Sequence, residues 1–183
     1  MSYIYPAPGV STKEIILRVA KYESGGDYTA AGDVLTIPAL QDITVNAAND
    51  IFTWTQLDAQ AKKNIATTAT NSLSMNLVLD QDRFFGTTAP AGNEDGSTTN
   101  AAGSTGAKGI FGLSTDKDLV VFDLYLGDTS DGSEGKFITG TGYITGLAPT
   151  VSADAPVWVS PITITVDGDY TVGTSATLTR YGA

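Results

Sequence analysis

Histidine and cysteine are both absent from the 183 residues, which removes most of the side chains that do chemistry near neutral pH. Without Cys there is no thiol nucleophile, thiolate metal site or disulfide framework. Without His the commonest general base, proton shuttle and zinc ligand is missing. Carboxylates, hydroxyls, lysines and two tryptophans remain. "GDTSDGSEG" gathers Asp128, Asp131 and Glu134 around Gly132, and "DQD" offers Asp80 and Asp82. Calcium takes clustered carboxylates in Gly-containing loops, but the EF-hand spacing is not met, and a solvated turn explains both runs. A catalytic carboxylate pair must face across a set separation, which sequence spacing does not supply. "GTGYITG" carries glycines like those of a dinucleotide loop. Its continuation, "LAPTVS", cannot open the helix whose N-terminus would hold a pyrophosphate. Gly140 and Gly142 are read instead as bulges or close backbone contacts within a strand. "GSTGAKG" holds Lys108 without the Gly-Lys-Ser/Thr order of a phosphate loop. Trp54 and Trp158 suit either a sugar site or a core or interface role. No catalytic residue, metal site or cofactor is expected, and the chain reads as a non-enzyme.

Charge narrows the partners. Twenty acidic against ten basic residues give a net charge of −10. Such a surface repels a phosphate backbone, so tight nucleic-acid binding by ion pairing is not expected. Repulsion would still serve a protein past which DNA must move without sticking, and plain solubility accounts for the charge equally well. No run of about 18 apolar residues exists, and "MSYIYPAPGVSTKEI" has neither a basic nor an apolar leader region. A membrane partner and classical export are therefore not expected. The length fits one domain able to bury roughly 70% of its unfolded surface.

The elements that must position these side chains are mostly strands. In "SLSMNLVLD", Leu73, Met75, Leu77 and Leu79 share one face, with Ser74, Asn76 and Asp80 on the other. "DLVVFDLYLGD" and "VSPITITVDGD" alternate in the same way, the latter with Thr163 and Thr165 opposite Ile162, Ile164 and Val166. Further strands are expected over 14–22, 34–37, 43–45, 137–143 and 176–181. One helix of about three turns is expected in "TWTQLDAQAKKNIATT", where Leu57, Ala61 and Ile65 lie four apart behind a Thr55 N-cap. Residues 86–109 contain no large apolar side chain and read as a long flexible Gly/Ser/Thr loop. Residues 1–13 pair Tyr3, Ile4, Tyr5 and Val10 with prolines and read as a stiff extended arm, leaving 14–183 as the domain. An arm so apolar must pack on its own sheet or on a neighbouring subunit.

The polar strand faces are unusual. Ser74, Asn76, Thr139, Thr141, Thr145, Thr163 and Thr165 are small and uncharged, where an exposed antiparallel face ordinarily carries the Lys and Glu that guard edges. Unguarded strands suggest sheets that continue from one subunit into the next. A plain sandwich with a Thr-rich surface is the alternative.

"GTGYITGLAPTVSADAPVWVSPITITVDGDYT" resembles the C-terminal hairpin of bacteriophage tail tube (major tail) proteins. "WTQLDAQAKKNIATTATNSLSMNLVLD" is similar to that family's helix, Thr-rich link and following strand. The two stretches cover about a third of the chain. The 86–109 segment and the "YPAPGVSTKEI" start depart from the pattern. The resemblance implies a mainly β protein: a two-sheet antiparallel β-sandwich with one flanking α-helix, its strands contributing to an inner β-barrel shared by six subunits. Stacked hexameric rings would form a tube in the virion tail, assembled in the host cytoplasm. Tape-measure protein and DNA would occupy its lumen without tight binding. Tail terminator, baseplate or tip proteins, and a sheath in a contractile tail, would adjoin it. By position, Ser74, Asn76, Asp80, Thr139, Thr141, Thr163 and Thr165 are the lumen-facing candidates. Tyr3, Ile4, Tyr5, Val10, Ala153, Asp154, Pro156 and Val157 are the inter-subunit candidates, with the 86–109 loop beside them. The alternatives are the tube of a phage-derived injection machine and a carbohydrate-binding β-sandwich.

Overall fold

The computed structural model describes residues 15–26, 28, 32–37, 40–47, 50–55, 62–67, 70–78, 80–87, 100–126, 136–152, 155–174 and 178. Eleven strands and two helices follow one another in these residues. The strands are β1 (Ile15–Lys21), β2 (Val34–Ile37), β3 (Leu40–Asn46), β4 (Asp50–Thr55), β5 (Lys62–Thr67), β6 (Ser72–Val78), β7 (Leu119–Leu126), β8 (Lys136–Leu147), β9 (Thr150–Ser152), β10 (Ala155–Val166) and β11 (Thr171–Gly173). The helices, α1 (Gln81–Phe85) and α2 (Thr105–Thr115), lie between β6 and β7.

The fold is mainly β and antiparallel, as expected. One large sheet runs β2-β1-β7-β8-β10-β6-β3, with β11 added on β8 and β9 on β10. Laid flat, β2 and β3 would stand roughly 29 Å apart at the usual strand spacing. Yet Leu35 and Ile37 of β2 share one core with Leu73, Met75 and Leu77 of β6, and Ile43 and Val45 of β3 pack against it. The sheet therefore folds back on itself into two facing layers. Period-2 alternation makes this possible, because Leu73 and Ile164 reach full burial while their neighbours face out. Each such buried aliphatic contributes about 1.5–3 kcal/mol.

The twelve-residue β8 spans both layers. Its first part pairs with β7, from Lys136 opposite Leu126 to Tyr143 opposite Leu119. Its second part pairs with β10, with a register shift where Thr163 and Ile164 oppose Gly146 and Ile144. A Cβ on Gly142 would sit 2.4 Å from the Thr165 carbonyl oxygen, and one on Gly140 2.9 Å from Phe122 Cζ. These glycines are there for close approach, as the strand reading required.

Two expectations are corrected. Where a helix is expected within 53–68, the described residues belong to a two-stranded sheet of β4 and β5, in register from Asp50 opposite Thr67 to Thr55 opposite Lys62. β-Branched and aromatic residues (Ile51, Phe52, Thr53, Trp54, Ile65) prefer the extended chain, and Leu57 and Ala61 of the supposed stripe lie outside the described residues. Secondly, the expected loop over 86–109 contains the start of α2. Ser104 caps it, its hydroxyl accepting from the Ala107 N–H at 3.4 Å. Ile110 and Leu113 are the apolar anchors that bury the helix, and both lie just past the window that looked featureless. Residues 1–14, 88–99 and 179–183, with the expected arm, most of the loop and part of the last expected strand, lie outside the described residues.

Candidate functional site: an open polar face beside an unpaired edge

Four of the expected lumen residues share one surface. Antiparallel register sets Ser74 between Thr44 on β3 and Thr163 on β10, and Thr163 in turn opposes Gly146 of β8. One row along, Asn76 lies between Asp42 and Pro161; in the other direction Ser72 lies between Asn46 and Thr165. Ser74, Thr44, Asn46 and Thr145 are exposed; Asn76, Thr163 and Thr165 are half-buried. Two pairs of these side chains engage each other. The Asp42 carboxylate accepts from the Asn76 backbone N–H at 3.0 Å and from its side-chain amide at 2.9 and 3.1 Å. The Thr145 and Thr165 hydroxyls lie 2.8 Å apart. Among the described residues of β3, β6, β10 and the second part of β8, Asp42 carries the only charge on this face. Such a surface has little charge with which to hold a polyanion.

The face ends at the edge strand β3, which among the described residues pairs only with β6. Its sequence, LQDITVN, contains no Lys or Pro; Asp42 and a register shift between Leu40 and Asp42 are its only features of the kind that blunt an edge. Tyr170 pins the pair from beneath, its hydroxyl 2.8 Å from the Ser72 carbonyl oxygen and 3.1 Å from that of Asn46.

The remaining candidates lie elsewhere. Thr139 and Thr141 point to the same side of the sheet, but over β1, β7 and the first part of β8 that side is covered. Leu178 is fully buried there against Ala20, Val34 and Val121, and its backbone N–H donates to the buried Asp123 carboxylate. Thr139 is only 8% exposed, with its hydroxyl donating to the Thr171 carbonyl at 3.4 Å. Thr141 is half-buried and donates to the Asp167 carbonyl at 3.2 Å. Asp80 is exposed, but its carboxylate accepts from the Arg83 N–H at 3.1 Å and caps α1. Tyr3, Ile4, Tyr5, Val10, Ala153 and Asp154 lie outside the described residues, as do the side chains of Pro156 and Val157, whose backbone belongs to β10.

Sequence reasoning missed two apolar surfaces. The β4–β5 hairpin exposes Ile51, Phe52 and Ile65 by 64%, 59% and 53%, and Phe52 stacks on Trp54 with ring centres 6.1 Å apart. On the core side of the sheet, where α1 and α2 meet the rim of β10, Phe85, Phe111 and Trp158 are 43%, 43% and 46% exposed. Phe85 lies 5.6 Å from Phe111 and 6.1 Å from Trp158. The adjacent Phe84 and Phe85 were the available signal: one is buried, the other is not.

This architecture is shared with a chain from the tail of an empty GTA particle, solved by helical refinement with C6 symmetry. The TM-score is 0.54 at 12% identity, over 90% of this chain and 99% of that one. The fold is that of this GTA tail chain. Weaker likenesses are a sheath/tube terminator of a PVC extracellular contractile injection system (TM-score 0.49, 13% identity, 94% of this chain and 99% of that chain) and the tube-terminating cap of the anti-feeding prophage (0.46, 15%, 96% and 95%). No protein family and no curated protein matches the sequence. The resemblance to tail tube proteins is thus upheld at the level of fold.

Proposed function

We propose that this chain is a structural subunit of a phage-like tail tube, closing into rings that stack around a channel through which DNA passes. The observation that carries the reading is the open, nearly uncharged face of β3, β6, β10 and β8, ending at an edge strand that holds no Lys or Pro. Sheet edges of this kind are relieved when a neighbouring subunit continues the ladder, and closure around an axis removes them altogether. The C6 symmetry of the GTA tail supports a six-fold ring. Ser74, Asn76, Thr163 and Thr165 line the lumen in this reading, and the face avoids adhesion by neutrality and internal hydrogen bonding more than by acidity. Thr139 and Thr141 belong to the covered part of the sheet and Asp80 to the α1 cap. Tape-measure and terminator proteins are the expected tail partners, and no catalytic step is assigned. Negative-stain microscopy of the purified protein tests the proposal. Rings or filaments with a central channel are expected. A population that stays monomeric at high concentration, above all one retained on a glycan matrix, would replace the tube with a carbohydrate-binding sandwich.

A further inference from the structure

The β4–β5 hairpin stands away from the sheet: among the described elements its strands pair with each other and hardly touch the rest. Every residue of β5 is exposed, and Phe52 and Ile65, opposite each other on one face of the ribbon, enter no core among the described residues. A two-stranded ribbon alone is marginal in water, and one that displays aliphatic and aromatic groups needs a surface to lie on. The molecule also holds a matching surface. Phe85, Phe111 and Trp158 form a contiguous aromatic patch, and its geometry is rigid. Gly86 and Gly109 bring the end of α1 against the kink of α2 so closely that a Cβ on Gly109 would stand 2.3 Å from the Gly86 nitrogen.

Charge selects between possible occupants. Lys63 is exposed near the start of β5, opposite Trp54 and on the same ribbon face as Phe52 and Ile65, one of only ten basic residues in a chain of net charge −10. Asp80 and Asp82 are exposed before and on α1, whose one base, Arg83, is half-buried. A locally basic apolar ribbon and a locally acidic aromatic patch complement each other, whereas most of the surface of this chain would repel another copy. Because ribbon and patch lie on different elements, a contact between them is heterologous: each subunit gives one hairpin and receives one.

We propose that the ribbon face carrying Phe52 and Ile65 of one subunit docks on Phe85, Phe111 and Trp158 of a second copy. The proposal deepens the tube reading and rests on it for the closed form of the assembly, but the contact itself is testable apart from tube shape. The absence of cysteine makes disulfide trapping clean. The full-length Phe52→Cys/Phe111→Cys variant, oxidised at a concentration where the wild type associates, is expected to give a covalent ladder beyond the dimer. Each single variant should stop at the dimer. A monomeric product only, or an internal crosslink, would overturn the docking.

A charge reversal checks that the contact is more than adventitious. Lys63→Glu should weaken association about tenfold by sedimentation with an unchanged circular dichroism spectrum, and adding Asp82→Lys should restore most of it. Undiminished association of Lys63→Glu would overturn the pairing of these surfaces. Wild-type rings with no ladder would sink this contact and leave the tube; a ladder without any channel-bearing particle would sink the tube and leave the contact.

Discussion

Lys108 ties the helical corner to the sheet. Its ammonium donates to the Asp116 and Asp118 carboxylates, both at 2.6 Å, and Lys21 of β1 reaches Asp118 at 3.5 Å. Hydrogen bonding to Asp116 and then Asp118 raises the Lys108 pKa, while Lys108 lowers that of Asp116. The sign follows for each group. Asp116, depressed in the folded state, adds stability above the ordinary aspartate range and loses it as pH falls through its lowered value. Lys108, raised, adds stability below the ordinary lysine range and loses it as pH climbs through its raised value. Lys108→Met should therefore cost about 0.5–1 kcal/mol at neutral pH, as partly exposed ion pairs do. In thermal melts the gap to the wild type should stay level through neutral pH and close only below the ordinary aspartate value of 3.8. A gap unchanged in acid would mean that the methylene stem, and not the charge, holds the corner.

At the next scale, the α1–α2 corner depends on two glycines for different reasons than flexibility. Gly109 has φ +63°, and a Cβ there would also meet the Phe84 carbonyl oxygen at 2.6 Å, a backbone atom that cannot rotate away. Gly103 has φ +81° but open space around it. Gly109→Ala should cost about 2–5 kcal/mol by adding overpacking to backbone strain, against about 1 kcal/mol for Gly103→Ala. Chemical denaturation of the two variants separates these terms, and equal losses would remove the steric crossing. The elements themselves were unevenly legible. β6, β7 and β10 could be read because a buried core imposes alternation on Leu73, Met75, Leu77, Ile162 and Ile164. β5 could not, since nothing in the described structure covers it, and Ile65 then fell by chance four residues beyond Ala61. α2 was hidden by a Gly-rich first turn whose apolar anchors come from outside it: Phe84 before, Ile110 and Leu113 after. The outer polar row of Ser74 and Thr163 followed from alternation alone. The burial of Thr139 did not, because Leu178, which lies on that side, is 39 residues further along the chain.

For the molecule as a whole, the decisive property is a pair of dissimilar faces on one folded-back sheet. The core side ends in helices and an aromatic rim; the other side opens, over four strands, to a neutral surface bordered by the edge strand β3. In the proposed tube, a strongly acidic chain that keeps this one face almost free of charge separates two tasks: long-range repulsion keeps subunits soluble, and local neutrality avoids holding the DNA that passes. Ser74 tests the second task, because it is exposed on an inner strand and donates to no core contact. Ser74→Lys should leave stability within about 0.5 kcal/mol of the wild type, as surface substitutions do. In an assembled tube the new ammonium repeats in every subunit of every ring, turning a neutral wall into rows of cations facing DNA. Release of DNA from particles built with this variant should slow markedly at about 50 mM salt and recover toward the wild-type rate by about 200 mM, as phosphate contacts are screened and counterions compete. Identical release kinetics at low salt would mean that DNA does not pass along this face, and the lumen would then have to be sought on another surface of the sheet.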